Sequence, residues 1–338
     1  MTMSINGAVK RREFLLGAAA AVATSRAWGQ AADHAKMKRI AIMTLSLGSI
    51  LKSGRNPTGT VDILDFPEVV AQRLGIHNVE LNSADFASWE PAYIAEFRKR
   101  LKKANSQVSQ IIMNLGTLTP TAADLRARME GIDHAVALGC PRVMVLMGSS
   151  LAPETRQTAI EALKTMVAYA KTKKVRLAME NFNISSPDGW SRGSGPSRAG
   201  AQGAGAPASP GADGPGGPGG RTGAQGAGRR GGGGYSAPWD VLVEVGKASG
   251  VYMNPDTGNF FDNAARMAGL PVMYRLTAGS SHVKYNPTQY DTGECIRISK
   301  RVGYKGLYSI EAGGGGRGGA TDPFAGPRTI LDIILANM

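Results

Sequence analysis

Two glutamates, one aspartate and one histidine close four short apolar runs of this 338-residue chain. The runs are Val175-Arg-Leu-Ala-Met-Glu180, Val251-Tyr-Met-Asn-Pro-Asp256, Ser281-His282-Val-Lys284 and Gly306-Leu-Tyr-Ser-Ile-Glu311. Glu180, Asp256, His282 and Glu311 would form a mostly oxygen-donor site for one divalent cation. Hard oxygen donors with a single imidazole suit Mn2+, Mg2+, Co2+ or Zn2+, and the donor types alone do not choose among them. Such a cation can hold the carbonyl and neighbouring hydroxyl of a sugar and stabilise the enediolate left when an α-proton departs. A base must take that proton and return it. Glu180 and Glu311 are the natural pair for this. Each residue also has a plainer reading. A carboxylate at a strand end is often a helix cap or a loop ion pair, Asp256-Thr-Gly reads as a turn, and His282 fits a satisfied core histidine. The four become specific only when taken together.

The elements that would bring them together are legible. From Lys38 onward, strand and helix patterns alternate. Expected strands begin at Arg39, Asn78, Val108, Arg142, Val175, Val251, His282 and Leu307. Expected helices cover Asp65 to Leu74, Tyr93 to Lys103, Ala122 to Leu138 and Pro153 to Lys171, and begin near Ala237, Phe260, Thr292 and Pro323. Gly139 reads as a helix C-cap. The strands are short, continuous and apolar, as expected when both faces are buried. Strict alternation allows a closed (β/α)8 TIM barrel or an open doubly wound sheet. The count of eight, and the lack of Gly-x-Gly-x-x-Gly after the first strand, favour the barrel. A barrel collects its strand ends at one face, however distant in sequence.

Two segments stand outside this pattern. Lys10-Arg11-Arg12-Glu13-Phe14-Leu15-Leu16, an Ala-rich apolar run, and small residues at Ala27 and Gly29 read as a twin-arginine export signal over residues 1–30. The expected location is periplasmic or extracellular, with the Tat machinery as a partner. Residues 191–234 are Gly, Ala, Pro, Ser and Arg with almost nothing to bury, and read as a disordered insertion after the fifth strand. It would be a lid, a tether or a neutral insertion. A second Gly-rich run, Gly313 to Gly319, holds Arg317 and would be a phosphate cradle or a plain loop. The barrel domain is thus residues 38–338, interrupted at 191–234.

The net charge of +13 is scattered rather than patched. Much of it lies on an amphipathic face such as Arg98-Lys-Arg-Leu-Lys-Lys103, so no nucleic-acid partner is expected. No stretch has the roughly 20 continuous apolar residues of a membrane span, so none is expected in the mature chain. Cys140 and Cys295 fall at opposite ends of a barrel and should be free thiols.

The chain resembles the xylose-isomerase-like TIM-barrel superfamily, the sugar phosphate isomerase/epimerase group. The stretches that carry this are Leu177-Ala-Met-Glu180-Asn181, Asn254-Pro-Asp256-Thr-Gly-Asn-Phe260, His282-Val-Lys284 and Gly303 to Glu311, with Gly75-Ile-His-Asn-Val-Glu80-Leu81 resembling the second strand. The resemblance implies metal ligands at Glu180, Asp256, His282 and Glu311, and acid/base roles for Glu180 and Glu311. It implies one divalent metal ion, Mn2+ ahead of Mg2+, Co2+ or Zn2+, and a small carbohydrate substrate. Asn259, Lys284 and Glu80 are the expected substrate contacts. Ketose 3-epimerases of the group have a His where this chain has Asn259, an Arg at Thr288 and a Glu at Ser186, so the substrate pocket is expected to differ. Three readings follow: a metal-dependent sugar isomerase or epimerase, a lyase or dehydratase on keto-sugars or 3-keto-glycosides, and a non-catalytic sugar-binding barrel. A nuclease of the endonuclease IV type needs more histidines than His34, His77, His134 and His282. A homo-oligomer stays open.

Overall fold

The strands are β1 (Ile40–Met43), β2 (Asn78–Asn82), β3 (Gln107–Met113), β4 (Arg142–Val145), β5 (Arg176–Glu180), β6 (Tyr252–Asn254), β7 (Ser280–Val283) and β8 (Leu307–Ile310). The helices between and after them are α1 (Phe66–Leu74), α2 (Pro91–Lys103), α3 (Ala122–Leu138), α4 (Pro153–Thr172), α5 (Trp239–Ser249), α6 (Asn263–Arg275), α7 (Thr292–Arg301) and α8 (Ala325–Asn337). This is a computed structural model, and it describes residues 34–54, 56–113, 122–146, 151–182, 238–313 and 322–338. The expected export signal, the insertion at 191–234, Ser186 and Arg317 lie outside the described residues.

The strands pair in parallel in the order β6-β5-β4-β3-β2-β1-β8-β7. Between β6 and β7 there are isolated parallel bridges, Met253 with Thr277 and Asp256 with His282. The His282 N–H donates to the Pro255 carbonyl at 2.8 Å, and the Thr257 N–H donates to the His282 carbonyl at 3.1 Å. These bonds bring the two ends of the sheet together into an eight-stranded barrel.

The apolar runs become strands of this kind because every side is covered. All four residues of β1 and of β7 are buried, by the barrel interior on one face and by helices on the other. The helices show the complementary pattern. In α2, Ile94, Phe97 and Leu101 are buried at helical spacing, while Arg98, Lys99, Lys102 and Lys103 are exposed. The basic cluster seen in the sequence is therefore a solvated face. In α7, Cys295, Ile296 and Ile298 face inward. On its outer face Glu294 pairs with Arg297 at 2.8 Å and with Arg301 at 2.7 Å. After α3 the backbone turns at Gly139 with φ +70°, a left-handed conformation that a side chain would strain.

Cys140 and Cys295 are buried and free. Burial pushes each thiol up to about 12, which leaves little reactive thiolate at neutral pH. No helix among the described residues is long and apolar enough to cross a membrane.

Candidate metal centre

Glu180 is the last residue of β5, Asp256 follows β6 by two residues, His282 lies in β7, and Glu311 follows β8 directly. One ligand atom from each lies within 4.8 Å of those of the other three. All four residues are buried, His282 and Asp256 completely. Two donors on a common cation stand about 4–5 Å apart at most, so the cluster already has the span of a single site.

His282 is the centre of the arrangement. Its Nδ1 faces Glu180 Oε1 at 2.9 Å, Glu311 Oε2 at 3.2 Å and Asp256 Oδ2 at 3.9 Å. Its Nε2 points the other way, to Glu80 Oε1 at 2.7 Å. Lys284, two residues on, places Nζ 2.8 Å from Asp256 Oδ2 and 3.0 Å from Glu311 Oε1. Asn259 accepts from that ammonium at 2.8 Å and donates to Glu180 Oε1 at 3.2 Å and to Asp256 Oδ2 at 3.1 Å.

The electrostatics follow from this crowding. Burial pushes the Glu180 carboxyl up to about 7 against the pull of His282, and Asp256 and Glu311 add to the rise. Burial would raise Asp256 as well, but Lys284 and His282 outweigh it and hold that carboxyl below its usual value. His282 would be lowered by burial; Glu80 and Glu180 overcome this and hold it well above an ordinary histidine. Burial also works against the Lys284 charge, and Asp256 and Glu311 reverse that, so Lys284 stays an ammonium.

The residues fit a divalent cation on two grounds. Four carboxylates (Glu80, Glu180, Asp256 and Glu311) face one ammonium and one imidazole, an excess of buried negative charge. In addition, one Nδ1 proton can serve only one of the carboxylates around it, and Glu311 Oε2 is left buried with no hydrogen-bond partner. A cation at the centre would meet both, displacing the imidazole proton from Nδ1 as it bound.

The structure brings most of the expected site residues to this point. Glu180, Asp256, His282, Glu311, Asn259 and Lys284 share one cluster. Asp256 closes the turn that its sequence suggested. Its Oδ1 accepts from the backbone of Gly258 at 2.6 Å and Asn259 at 3.1 Å, closing the turn. Its Oδ2 faces the cluster. Glu80, expected at the substrate, lies instead on the inner side of His282, with 0% exposure. Thr288 is exposed and donates to Asn286 Oδ1 at 2.8 Å.

Two contributors were not singled out from sequence. Asn181 accepts from the Asp256 N–H at 2.6 Å and donates to the Asp256 carbonyl at 3.0 Å, tying the end of β5 to the end of β6. Its only sequence signal is its place directly after Glu180. Gln110 on β3 donates to Glu80 Oε1 at 2.9 Å and to Asn254 Oδ1 at 3.1 Å. A polar residue inside the apolar run Val108–Met113 was the signal there. A cavity of about 990 Å³ lined by His77, Asn78 and Gln107 opens beside the starts of β2 and β3, and none of the four clustered residues lines it.

The sequence profile described as xylose isomerase-like TIM barrel matches residues 69–193. No curated protein matches the chain. L-ribulose 3-epimerase superposes with a TM-score of 0.56 at 14% identity, over 88% of this chain and 94% of that one. 3-Keto-D-glucoside 4-epimerase from E. coli gives 0.55 at 11% identity, over 88% and 99%. A xylose isomerase-like TIM barrel protein from Mycobacterium smegmatis, solved in complex with magnesium, gives 0.53 at 17% identity, over 90% and 98%. At these identities the likeness is one of fold: the chain is a (β/α)8 barrel with the backbone architecture of the xylose isomerase-like proteins.

Proposed function

We propose that the protein is a metal-dependent sugar isomerase or epimerase that works by removing and returning an α-proton. The observation that carries this is the placement of Glu180 and Glu311. They end strands three steps apart around an eight-strand ring, and their carboxylates converge on a buried histidine. A substrate carbon held between them would have a carboxylate on each side. When bound, a divalent ion supplies Lewis acidity toward the sugar carbonyl and its neighbouring hydroxyl. The protein does the rest. Glu180, held near neutrality by burial, is suited both to take and to give a proton at working pH. Glu311 is the matching group on the far side. The Lys284 ammonium and the Asn259 amide lie within reach of substrate oxygens and would orient them. The buried site limits competition from water. L-ribulose 3-epimerase and 3-keto-D-glucoside 4-epimerase, by their names, invert sugar carbons, and both share this fold.

The test is a ketosugar panel in D2O with Mn2+, read as deuterium uptake at the α-carbon. Glu180→Gln and Glu311→Gln should each slow exchange by roughly 100-fold or more, while metal binding weakens only in part. Normal rates in both variants would remove the acid/base assignment. One observation favours a second reading, a lyase. The Lys284 ammonium beside Glu311 could hydrogen-bond a departing β-substituent while Glu180 passes it the proton taken from the α-carbon. Release of an aglycone or of water from a 3-keto-glycoside separates that outcome from isomerisation.

A further inference from the structure

The barrel interior beneath the cluster is polar. On β2 and β3 the register slips: Val79 pairs with Val108, but Glu80 pairs with Gln110. Ser109 is the extra residue of this bulge, and its hydroxyl donates to the Val79 carbonyl at 3.1 Å. The slip sets Glu80 and Gln110 side by side. Both are 0% exposed, as are Asn254 and His282. Gln110 Nε2 donates to Glu80 Oε1 at 2.9 Å and to Asn254 Oδ1 at 3.1 Å. The same Glu80 oxygen meets His282 Nε2 at 2.7 Å.

We propose that Glu80 is a positioning residue: it keeps the proton of His282 on Nε2 and so aims the Nδ1 lone pair at the cation. The argument is one of hydrogen-bond chemistry. An amide N–H from Gln110 already points at Glu80 Oε1, so that oxygen is an acceptor. The nitrogen facing it must then carry the proton. A neutral imidazole with a proton on Nε2 has its lone pair on Nδ1, and Nδ1 is the nitrogen that faces Glu180, Glu311 and Asp256. The carboxylate also makes the imidazole a stronger donor to a metal and fixes the ring plane. Gln110 in turn holds Glu80. This role differs from substrate contact: Glu80 is fully buried and reaches the centre through His282. It rests on the metal-centre reading, and the test separates the two.

The full chain, stripped of metal, is titrated with Mn2+ and with Zn2+ by calorimetry. Glu80→Ala should weaken binding by roughly 10–100-fold. Glu80→Gln, which can still accept from Nε2–H, should recover part of that loss. Binding within about twofold of the parent in both variants, with unfolding midpoints showing them folded, overturns the proposal but leaves the metal centre standing. The unmutated chain gives a second, independent readout. In the zinc-loaded protein labelled with 15N in its four histidines, the His282 ring, identified by loss of its signals in His282→Gln, should show a metal-bound Nδ1 and a protonated Nε2. A metal-bound Nε2, or a proton on Nδ1, overturns the proposal even if the variants fail to fold. No binding of either metal by the parent chain overturns both readings at once.

Discussion

Asn181→Ala is the most direct test of how the site is held. In the native chain the Asn181 side chain accepts the Asp256 N–H at 2.6 Å and donates to the Asp256 carbonyl at 3.0 Å. Both residues are 0% exposed. Truncation leaves one buried donor and one buried acceptor of the backbone without this partner. Each such loss costs about 1–3 kcal/mol, so about 2–6 kcal/mol in sum where water does not enter. For a domain of this size that is a fall of roughly 3–10 °C in unfolding temperature. A second effect is local. The turn that aims Asp256 Oδ2 at the cluster starts from this tethered backbone, so metal affinity should fall by about tenfold, the scale of an outer partner to a ligand. Urea unfolding of the metal-free protein measures the first effect, and a Mn2+ titration the second. A stability change below about 0.5 kcal/mol, the range of neutral surface substitutions, would refute the clasp. Unchanged affinity in a destabilised protein would refute only the aiming of Asp256.

Three further expectations can be tested, two from the structure and one from the sequence. A divalent ion at 100 times its dissociation constant should add about 2.7 kcal/mol to the unfolding free energy, a rise of roughly 5 °C, and Asp256→Asn should shrink it; no shift with Mn2+, Mg2+, Co2+ or Zn2+ would refute the metal centre. Gly306→Ala should destabilise by about 1–3 kcal/mol, because a Cβ there would meet the Gly279 carbonyl at 2.6 Å and the Tyr304 ring at 2.6 Å; unchanged urea unfolding would show that the backbone yields. We also propose that residues 1–30 direct export. Lys at both Arg11 and Arg12 should keep the chain inside the cell, and normal export of that variant, read by cell fractionation, would remove the twin-arginine reading.

The convergence of Glu180, Asp256, His282 and Glu311 was legible because each lies at the end of a short apolar run, and parallel strands carry their last residues to one face. Depth was not legible. Glu80 reads as a strand residue like the others, and alternation tells which face it takes but not which layer. The bulge that pairs it with Gln110 depends on the hydroxyl of Ser109 capping a carbonyl across two strands, a contact with no local pattern. Asn181 was hidden for a related reason, since its partner lies 75 positions away. Boundaries shifted where a cap, not hydrophobicity, sets the start. The sixth helix was expected near Phe260, yet begins at Asn263, because the Asp262 side chain accepts the Ala265 N–H at 2.8 Å.

The junction of β6 and β7 has a mechanical meaning of its own. Among the described residues, the seven other neighbouring strand pairs are ladders of three or more paired residues, with a single bulge between β2 and β3. This one is spot-welded, and one of its two bridges joins Asp256 to His282. The cylinder is thus buckled by the residues proposed to hold the ion. An ion gripping both would tighten the hoop at its loosest stave, with Glu180 and Glu311 bracing the staves on either side. Occupancy of the site and the integrity of the barrel's rim would then be one property, so the chemistry is seated where the fold has most to gain from it.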